Sequence, residues 1–221
     1  MMTATTCSHA GLPPDRLDWL VSGHAHASLP GRCEASITLI VVSGAPGTGK
    51  STIAAALASA LGWPVLSLDT IKETLADVLG LGGEDWSNRL GDAAAEVVFR
   101  LSTQFPHAVV EGWWRGARRE RALAEFAGSA EVFCHCDPRV VADRVSSRLG
   151  TGRHPIHRDM INPSGLGQAV AALAASVTPL GLGAALVTVD TVPEGAPGAA
   201  VARVMAAVGD LPRGRHWSDR I

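Results

Sequence analysis

A glycine-rich run ends in Lys-Ser between positions 44 and 51. It consists of Gly44, Ala45, Pro46, Gly47, Thr48, Gly49, Lys50 and Ser51. Glycines at this spacing let successive backbone N–H groups turn inward around phosphate oxygens, while the lysine reaches the β- and γ-phosphates and the serine hydroxyl coordinates Mg²⁺. The pattern G-x-x-x-x-G-K-S therefore predicts a phosphate-binding loop (P-loop) that binds ATP and Mg²⁺, with Thr52 beside it.

The segments around this loop alternate between strand and helix patterns. Strands are predicted at 37–43, 64–68, 108–111, 131–136 and 185–189. Helices are predicted at 51–61, 70–79, 87–105, 117–127, 138–149, 166–177 and 198–208, with Ser87 as the cap of the third. The P-loop follows an apolar β-branched strand and opens a helix, as its mechanism requires. Strands alternating with helices predict an α/β fold, a three-layer αβα sandwich around a five-stranded parallel sheet.

Composition narrows the class of protein. The net charge is −2 and 47% of the residues are hydrophobic, which favours a globular domain over a nucleic-acid or anionic-membrane binder. No apolar run reaches the ~20 residues of a membrane span, and four cysteines without a C-x-x-C pair predict a reduced, cytoplasmic protein. We expect an N-terminal extension at 1–35, the P-loop domain at 36–211 and a tail at 212–221. Oligomeric state has no signature in the sequence.

Basic residues are unevenly divided between the two types. Lys50 and Lys72 are the only lysines, beside seventeen arginines. A GC-rich genome accounts for most of this bias. The two lysines that remain are candidates for places where a compact ammonium is needed, because arginine is a poor substitute there.

P-loops also occur in motors and switches. The chain has no N-K-x-D guanine-reading motif, and its third strand continues V-V-E-G-W-W, unlike the Asp-Glu ending of ring-forming motors. These features favour a kinase of small molecules.

Four stretches together resemble the P-loop kinases that include chloramphenicol phosphotransferase, zeta toxins and polynucleotide kinase domains. They are the P-loop, L-S-L-D ending at Asp69, H-C-D-P at 135–138, and the D-R-x-x-x-R helix that follows. The resemblance implies that Asp69 is the general base that accepts the proton of the attacking hydroxyl. The alternative role for Asp69 is the cap of the helix predicted from residue 70.

The same resemblance implies an arginine-bearing lid at about 138–165. Arg144 is then expected to stack on adenine, and Arg148 to touch phosphates, because positions i and i+4 share a helix face. Arg153 is a third candidate. Lys72 resembles a basic position that would stabilise the transferring phosphoryl group. An ordinary surface role is the alternative for each of these cations.

Further candidates surround the acceptor. Glu111 ends strand three where this family usually has Asp bound to Mg²⁺ or substrate. Trp113 and Trp114 wall the acceptor pocket or pack in the core. Among the clustered arginines Arg115, Arg118 and Arg119, one is a candidate to hold an anionic acceptor. His154 and His157 are expected to bind acceptor or latch the lid. A zinc site at Cys134, His135 and Cys136 is disfavoured, because successive strand residues face opposite sides, so that His135 faces away from the side that Cys134 and Cys136 share.

The leading hypothesis is an ATP-dependent O-phosphotransferase that acts on a small hydroxylated acceptor. An antibiotic kinase conferring self-resistance, of the chloramphenicol or capuramycin type, is one form of it. A metabolic nucleoside or sugar kinase is another. A sugar-nucleotide toxin kinase and a nucleic-acid 5′-kinase are less favoured alternatives. The rival from another class is a regulatory P-loop ATPase without a small-molecule acceptor.

Overall fold

The computed structural model describes residues 38–148, 153–157, 165–192 and 195–209. All of them belong to one compact unit, Ser36–Ile221. The predicted extension at 1–35 and tail at 212–221 lie outside the described residues. Within the described ranges, no helix is both long enough and apolar enough to cross a membrane.

Strands and helices alternate along the described chain. The strands are β1 Thr38–Ser43, β2 Val65–Ser67, β3 His107–Glu111, β4 Ala130–His135 and β5 Leu186–Asp190. The helices are α1 Lys50–Leu61, α2 Leu68–Leu79, α3 Glu84–Ser102, α4 Ala117–Glu125, α5 Pro138–Ser147, α6 Leu166–Ser176 and α7 Ala196–Val208, and a 3₁₀ turn covers Pro155–His157.

The five strands form one parallel sheet in the order β2-β3-β1-β4-β5. β1 is central, and five of its six residues are buried, which is why its sequence T-L-I-V-V-S is apolar without alternation. The predicted five-stranded parallel sheet is confirmed. Since parallel strands end at the same edge, the residues that follow β1, β2 and β3 come together there.

Alternate residues of β1 face two separate apolar cores. Ile40 and Val42 pack in a cluster with side chains of α1 and α7. Leu39 and Val41 pack on the other face, with side chains of α3 and α4. The sheet therefore lies between two helical layers, which confirms the predicted three-layer αβα fold.

Four helices begin earlier than the sequence predicts, α1 and α7 by one and two residues and α2 and α3 by two and three residues. α2 begins at Leu68, where residue 70 was expected, because the Ser67 hydroxyl accepts a hydrogen bond from the Thr70 backbone N–H at 3.4 Å and caps the helix. α3 begins at Glu84, with Glu84 and Asp85 in its first turn, where carboxylates complement the helix dipole. The prediction that Ser87 caps α3 is therefore wrong, and Ser87 lies buried within the helix.

Candidate active site

The loop between β1 and α1 requires glycine for steric reasons. Gly44 has a φ of 137°, and a Cβ there would collide with the carbonyl oxygen of Cys134. Gly47 has a φ of 82°, and a Cβ there would lie 3.0 Å from Val145 of α5. These residues let the loop curl against β4 and α5 with its backbone turned toward the cleft. The backbone has the form that the predicted phosphate cradle needs.

Two side chains of the loop donate hydrogen bonds to the carbonyl oxygen of Ala45. Lys50 Nζ donates a hydrogen bond to Ala45 O at 2.9 Å, and Thr48 Oγ1 donates to the same oxygen at 2.7 Å. Lys50 is buried, and burial lowers its pKa, although Glu111 and Asp69 act in the opposite direction. An ammonium in this position is desolvated and gains strongly from an anionic ligand.

Glu111 lies buried at the end of β3, only 2% exposed. It accepts hydrogen bonds from Ser67 Oγ at 2.7 Å and from Ser51 Oγ at 3.4 Å. Burial raises the pKa of Glu111, against the opposing effects of Lys50 and the Ser67 hydrogen bond. The carboxylate thus joins the carboxyl ends of β2 and β3 to the P-loop serine.

Asp69 is an exposed residue in the first turn of α2. It lines the same cleft as Lys50, Ser51 and Glu111. The capping role weighed for Asp69 belongs to Ser67, because β2 ends one residue earlier than strand two was expected to reach. The Asp69 carboxylate therefore lines the cleft and does not cap α2.

This main cleft has a volume of about 480 Å³. It lies between the P-loop and residues of α2, α3, the β3–α4 connection, α4, α5, α6 and the turn at 153–157. A volume of this size is typical of small-molecule sites. The predicted site residues that line it are Pro46, Gly47, Gly49, Lys50, Ser51, Thr52, Asp69, Lys72, Glu111, Trp113, Arg115, Arg118, Arg148, Arg153 and His157.

The two tryptophans have different environments. Trp113 is half-buried and lines the main cleft, with the Arg115 guanidinium 4.8 Å from its ring centre. Trp114 is 5% exposed and packs against Phe99 and Phe126 in the core. The prediction that Trp114 walls the acceptor pocket is therefore wrong, while Trp113 lies where it was expected.

Arg119 also falls outside the main cleft. Its guanidinium donates to the carbonyl oxygens of Pro179 at 2.8 Å and Thr178 at 3.4 Å, and so ties α4 to the segment before β5. Of the three clustered arginines, Arg115 and Arg118 therefore line the main cleft.

Arg144 and Arg148 differ in hydrogen bonding and exposure, although both lie on α5 or at its end. Arg144 donates to Thr191 Oγ1 at 3.1 Å and Thr191 O at 3.0 Å, and more weakly to Gly47 O at 3.4 Å. Both arginines line a second cleft of about 410 Å³, the side cleft, with Thr52, Thr191 and Pro197. Arg148 is exposed, and its guanidinium makes no hydrogen bond or ion pair with the described part of the chain.

The turn at 153–157 is attached to α2. His157 Nε2 lies 2.7 Å from Glu73 Oε1, and His154 Nε2 lies 3.0 Å from Asp77 Oδ1. These contacts attach the turn to α2, and His157 also lines the main cleft, so both roles predicted for the histidines, acceptor binding and latching of the lid, stay predictions. The predicted lid, 138–165, includes residues 149–152 and 158–164, which lie outside the described residues, and its motion stays a prediction.

Cys134 and Cys136 pack in different apolar clusters, with α1 and α7 and with α5 and α6 respectively. They were expected on one side of a strand, but β4 ends at His135, so strand alternation does not extend to Cys136. Burial raises the pKa of the Cys134 thiol to about 12. A thiol that stays protonated at neutral pH is a poor metal ligand.

Sequence reasoning missed several side chains of the site. Ser67 holds Glu111, Ser87 holds Lys72 at 2.8 Å, and Thr191 holds Arg144. Each is a small hydroxyl residue from an element distant in sequence from its partner. Only the weak signal of serine or threonine near a strand or helix end could have indicated them.

The residues present fit a nucleoside triphosphate with Mg²⁺. The loop forms a cradle that side chains at its glycines would obstruct, and a buried ammonium lies inside it. The Ser51 hydroxyl and the Glu111 carboxylate are neighbouring oxygen donors, the ligand type that Mg²⁺ prefers. Lys50, Ser51 and Glu111 would hold these groups.

The family model AAA_33, described as an AAA domain, matches residues 39–162, more than half of the chain. An uncharacterized protein of Mycobacterium tuberculosis is 31% identical over 132 residues, which cover 52% of this chain and 26% of that protein. The chain thus spans about a quarter of the length of the first curated relatives it matches. A cytidylate kinase of Methanocella arvoryzae is 29% identical over 126 residues, covering 54% of this chain and 66% of that protein.

Solved structures share the fold. A Chloroflexus aurantiacus protein described provisionally as a kinase has a TM-score of 0.68 at 30% identity, over 79% of this chain and 100% of that chain. A shikimate kinase from Acinetobacter baumannii, bound to shikimate, has a TM-score of 0.54 at 18% identity, over 79% and 94%. A gluconokinase from Sinorhizobium meliloti has a TM-score of 0.52 at 21% identity, over 78% and 91%. The last two likenesses concern the fold alone.

Proposed function

This chain belongs to the AAA_33 family of AAA domains, and from that premise we propose that it is an ATP-dependent small-molecule kinase. It would transfer the γ-phosphate of ATP to a hydroxyl group of its acceptor. The observation that carries this proposal is the position of Asp69, a carboxylate lining the same cleft as the P-loop residues Lys50 and Ser51. The kinases among the similar proteins add support.

Transfer requires a base and stabilisation of charge. Asp69 accepts the proton of the acceptor hydroxyl as its oxygen bonds to the γ-phosphorus. The bond from the γ-phosphorus to the bridging oxygen breaks, and ADP leaves with that electron pair. A carboxylate suffices as the base, because the proton moves late in a loose transition state.

The remaining groups hold charge and position. Lys50 exchanges the Ala45 carbonyl for phosphate oxygens, and Arg148, exposed at the end of α5, adds a cation from the opposite wall. When held by Ser51 and Glu111, Mg²⁺ would neutralise part of the phosphate charge. Glu111 orients the Ser51 hydroxyl and holds the end of β2 through Ser67. The side cleft, with Arg144 and Thr52, is our proposed location for the adenosine.

The finer assignments rest on resemblance in sequence alone. An antibiotic acceptor, such as chloramphenicol or a capuramycin-type nucleoside, stays a prediction, as does a metabolic nucleoside or sugar acceptor. ATP hydrolysis in the absence of acceptor distinguishes a kinase from a regulatory ATPase, because a kinase hydrolyses ATP slowly until the acceptor completes the site.

The test is phosphate transfer with Asp69→Asn, measured as the mass gain of one phosphate across a panel of hydroxylated metabolites and antibiotics. We expect transfer to fall by ~10²- to 10⁴-fold, with ATP affinity by calorimetry within a few-fold of wild type. Asp85→Asn, an exposed carboxylate of α3 outside the cleft, is the matched control and should transfer normally. Near wild-type transfer by Asp69→Asn would move the search for the base to Glu111 or His157.

A further inference from the structure

The main cleft contains more positive than negative charge. Six basic side chains and three carboxylates line it. Two of the basic residues, Lys50 and Arg148, belong to the phosphate end of the proposed site. The other four come from α2, the β3–α4 connection, α4 and the turn at 153–157, and we call them the acceptor cations: Lys72, Arg115, Arg118 and Arg153. With a nucleotide held by the P-loop, this second group of charges lines the rest of the cleft.

Lys72 is a half-buried member of the group. Its Nζ donates to Ser87 Oγ at 2.8 Å, and Ser87 Oγ donates to Ile156 O at 2.7 Å, so α3 and the turn at 153–157 fix its position. Within the described residues its ammonium forms no ion pair. Burial lowers the pKa of Lys72, Asp69 opposes this, and the three arginines of the group lower the pKa further. Like charges gathered in a partly desolvated cleft repel, and an anion placed among them removes that cost.

Arg118 is held ready on one wall. Its Nε lies 2.9 Å from Asp92 Oδ1, and its side chain is only 18% exposed. A Cβ at Gly91 would lie 2.9 Å from Arg118 Nη1, so the absence of a side chain on α3 makes room for the guanidinium. Asp92 takes the Nε edge, and within the described residues the Nη atoms make no hydrogen bond or ion pair. A guanidinium edge matches carboxylate or phosphate oxygens.

Trp113 adds an apolar surface beside these charges. Its ring is half-buried, lines the cleft and carries Arg115 at 4.8 Å from the ring centre. A flat wall with a cation stacked on it suits a ring or carbon skeleton that bears an anionic group.

We propose that the acceptor is a small hydroxylated anion, a carboxylate or a phosphate monoester, whose charge is bound by Lys72 and Arg118 while its hydroxyl faces Asp69. This rests on the proposed function, whose acceptor it specifies. Asp69 and Lys72 are three residues apart on α2, about 4.5 Å along the helix axis. The acceptor therefore has its reacting hydroxyl within a few bonds of its anionic group.

The experiment uses matched pairs of compounds with the nucleotide site filled by Mg·ADP. Each hydroxy acid is set beside its methyl ester, and each phosphate monoester beside its dephosphorylated form: shikimate with methyl shikimate, gluconate with methyl gluconate, and CMP with cytidine begin the library. Chloramphenicol and capuramycin are included as uncharged acceptors. Binding is measured by calorimetry, and transfer by mass gain with Mg·ATP.

We expect binding by charged members only, and the pairs themselves distinguish carboxylate from phosphate. Lys72→Gln and Arg118→Gln should each weaken anion binding by about tenfold to a hundredfold, the scale of a lost charge-assisted hydrogen bond. Gly91→Ala keeps every charge but displaces the Arg118 guanidinium, so it should weaken anion binding without lowering thermal stability. Arg121→Gln, which removes a charge of α4 that pairs with Glu96 outside the cleft, should bind as wild type does.

Two results would overturn the anionic acceptor: a neutral compound that binds as well as its charged partner, or no anionic compound that binds. Phosphate transfer to a neutral acceptor would do so while leaving the kinase proposal intact. Anion binding that depends on Lys72 but is never followed by transfer would support the anion site and refute the kinase.

Discussion

Arg144 and Arg148 are one helical turn apart, yet their environments predict opposite effects of removal. Arg144 donates two hydrogen bonds to Thr191, at 3.1 and 3.0 Å. A net ~1 kcal/mol for each bond of a half-buried guanidinium gives a loss of about 2 kcal/mol in Arg144→Ala. For a domain of this size the melting temperature then falls by roughly 4–8 °C. Arg148→Ala alters an exposed side chain, and its effect should stay within about 0.5 kcal/mol.

In kinetics the larger loss of kcat should belong to Arg148→Ala, the variant with the smaller loss of stability. Arg148→Ala should lower kcat by ~10²-fold, the scale of a lost electrostatic stabiliser at the transferring phosphate. Arg144→Ala should mainly raise KM for ATP, because Arg144 lines the side cleft and contacts Gly47 of the P-loop. The assays are calorimetric melting and steady-state kinetics with the identified acceptor.

Arg144→Lys is the informative control. It keeps the charge but lacks the fork that donates to both oxygens of Thr191, so most of the loss in melting temperature should persist. Equal melting temperatures for the two alanine variants, or a kcat defect confined to Arg144→Ala, would refute the assignment of the two roles.

Three further predictions follow from the site. Lys50→Ala should abolish transfer with the fold intact by circular dichroism, and substantial residual turnover would contradict the P-loop assignment. Because burial raises the pKa of Glu111, the folded state holds its proton more tightly than the unfolded state, and the stability of the wild type falls as pH rises through the folded pKa. In urea titrations Glu111→Gln should therefore be more stable than wild type at pH 8, and this gain should shrink toward pH 4. The variant should also lose transfer. His157→Gln and Glu73→Gln should each raise the acceptor KM severalfold, because both alter the same 2.7 Å contact. The KM of the double variant should then be no higher than that of either single variant, and additive increases in KM would show that the pair does not act as a unit.

The fold and the nucleotide loop could be predicted because their signals are local. The β-branched run of β1, the glycine spacing and the following helix lie within twenty-five consecutive residues, and each constrains the backbone directly. Asp69 was placed correctly in the cleft for a related reason, since the carboxyl ends of parallel strands share one edge.

Contacts between distant elements could not be predicted in the same way. Trp113 and Trp114 are adjacent in sequence, and only the path of the chain after β3 decides which one meets Phe99 in the core. Ser67 and Asp69 are both good caps, and the choice between them depends on where β2 stops pairing with β3 at Glu111. The attachment of Arg144 to Thr191 joins residues separated by 47 positions, for which the sequence carries no signal.

The structure shows where the two lysines of this chain lie. Both lysines line the main cleft, and burial lowers the pKa of each. Lys50 fits inside the curl of the P-loop, where its Nζ reaches Ala45 O, and Lys72 fits between α2 and α3, where its Nζ reaches Ser87. A planar guanidinium is larger than an ammonium and needs more partners, so arginine would crowd either position. The remaining basic positions are arginine, including those that stack on an aromatic ring or donate from two edges. The two lysines therefore occupy places where a compact ammonium fits, and they lie at the two ends of the proposed transfer, Lys50 at the phosphate donor and Lys72 at the acceptor.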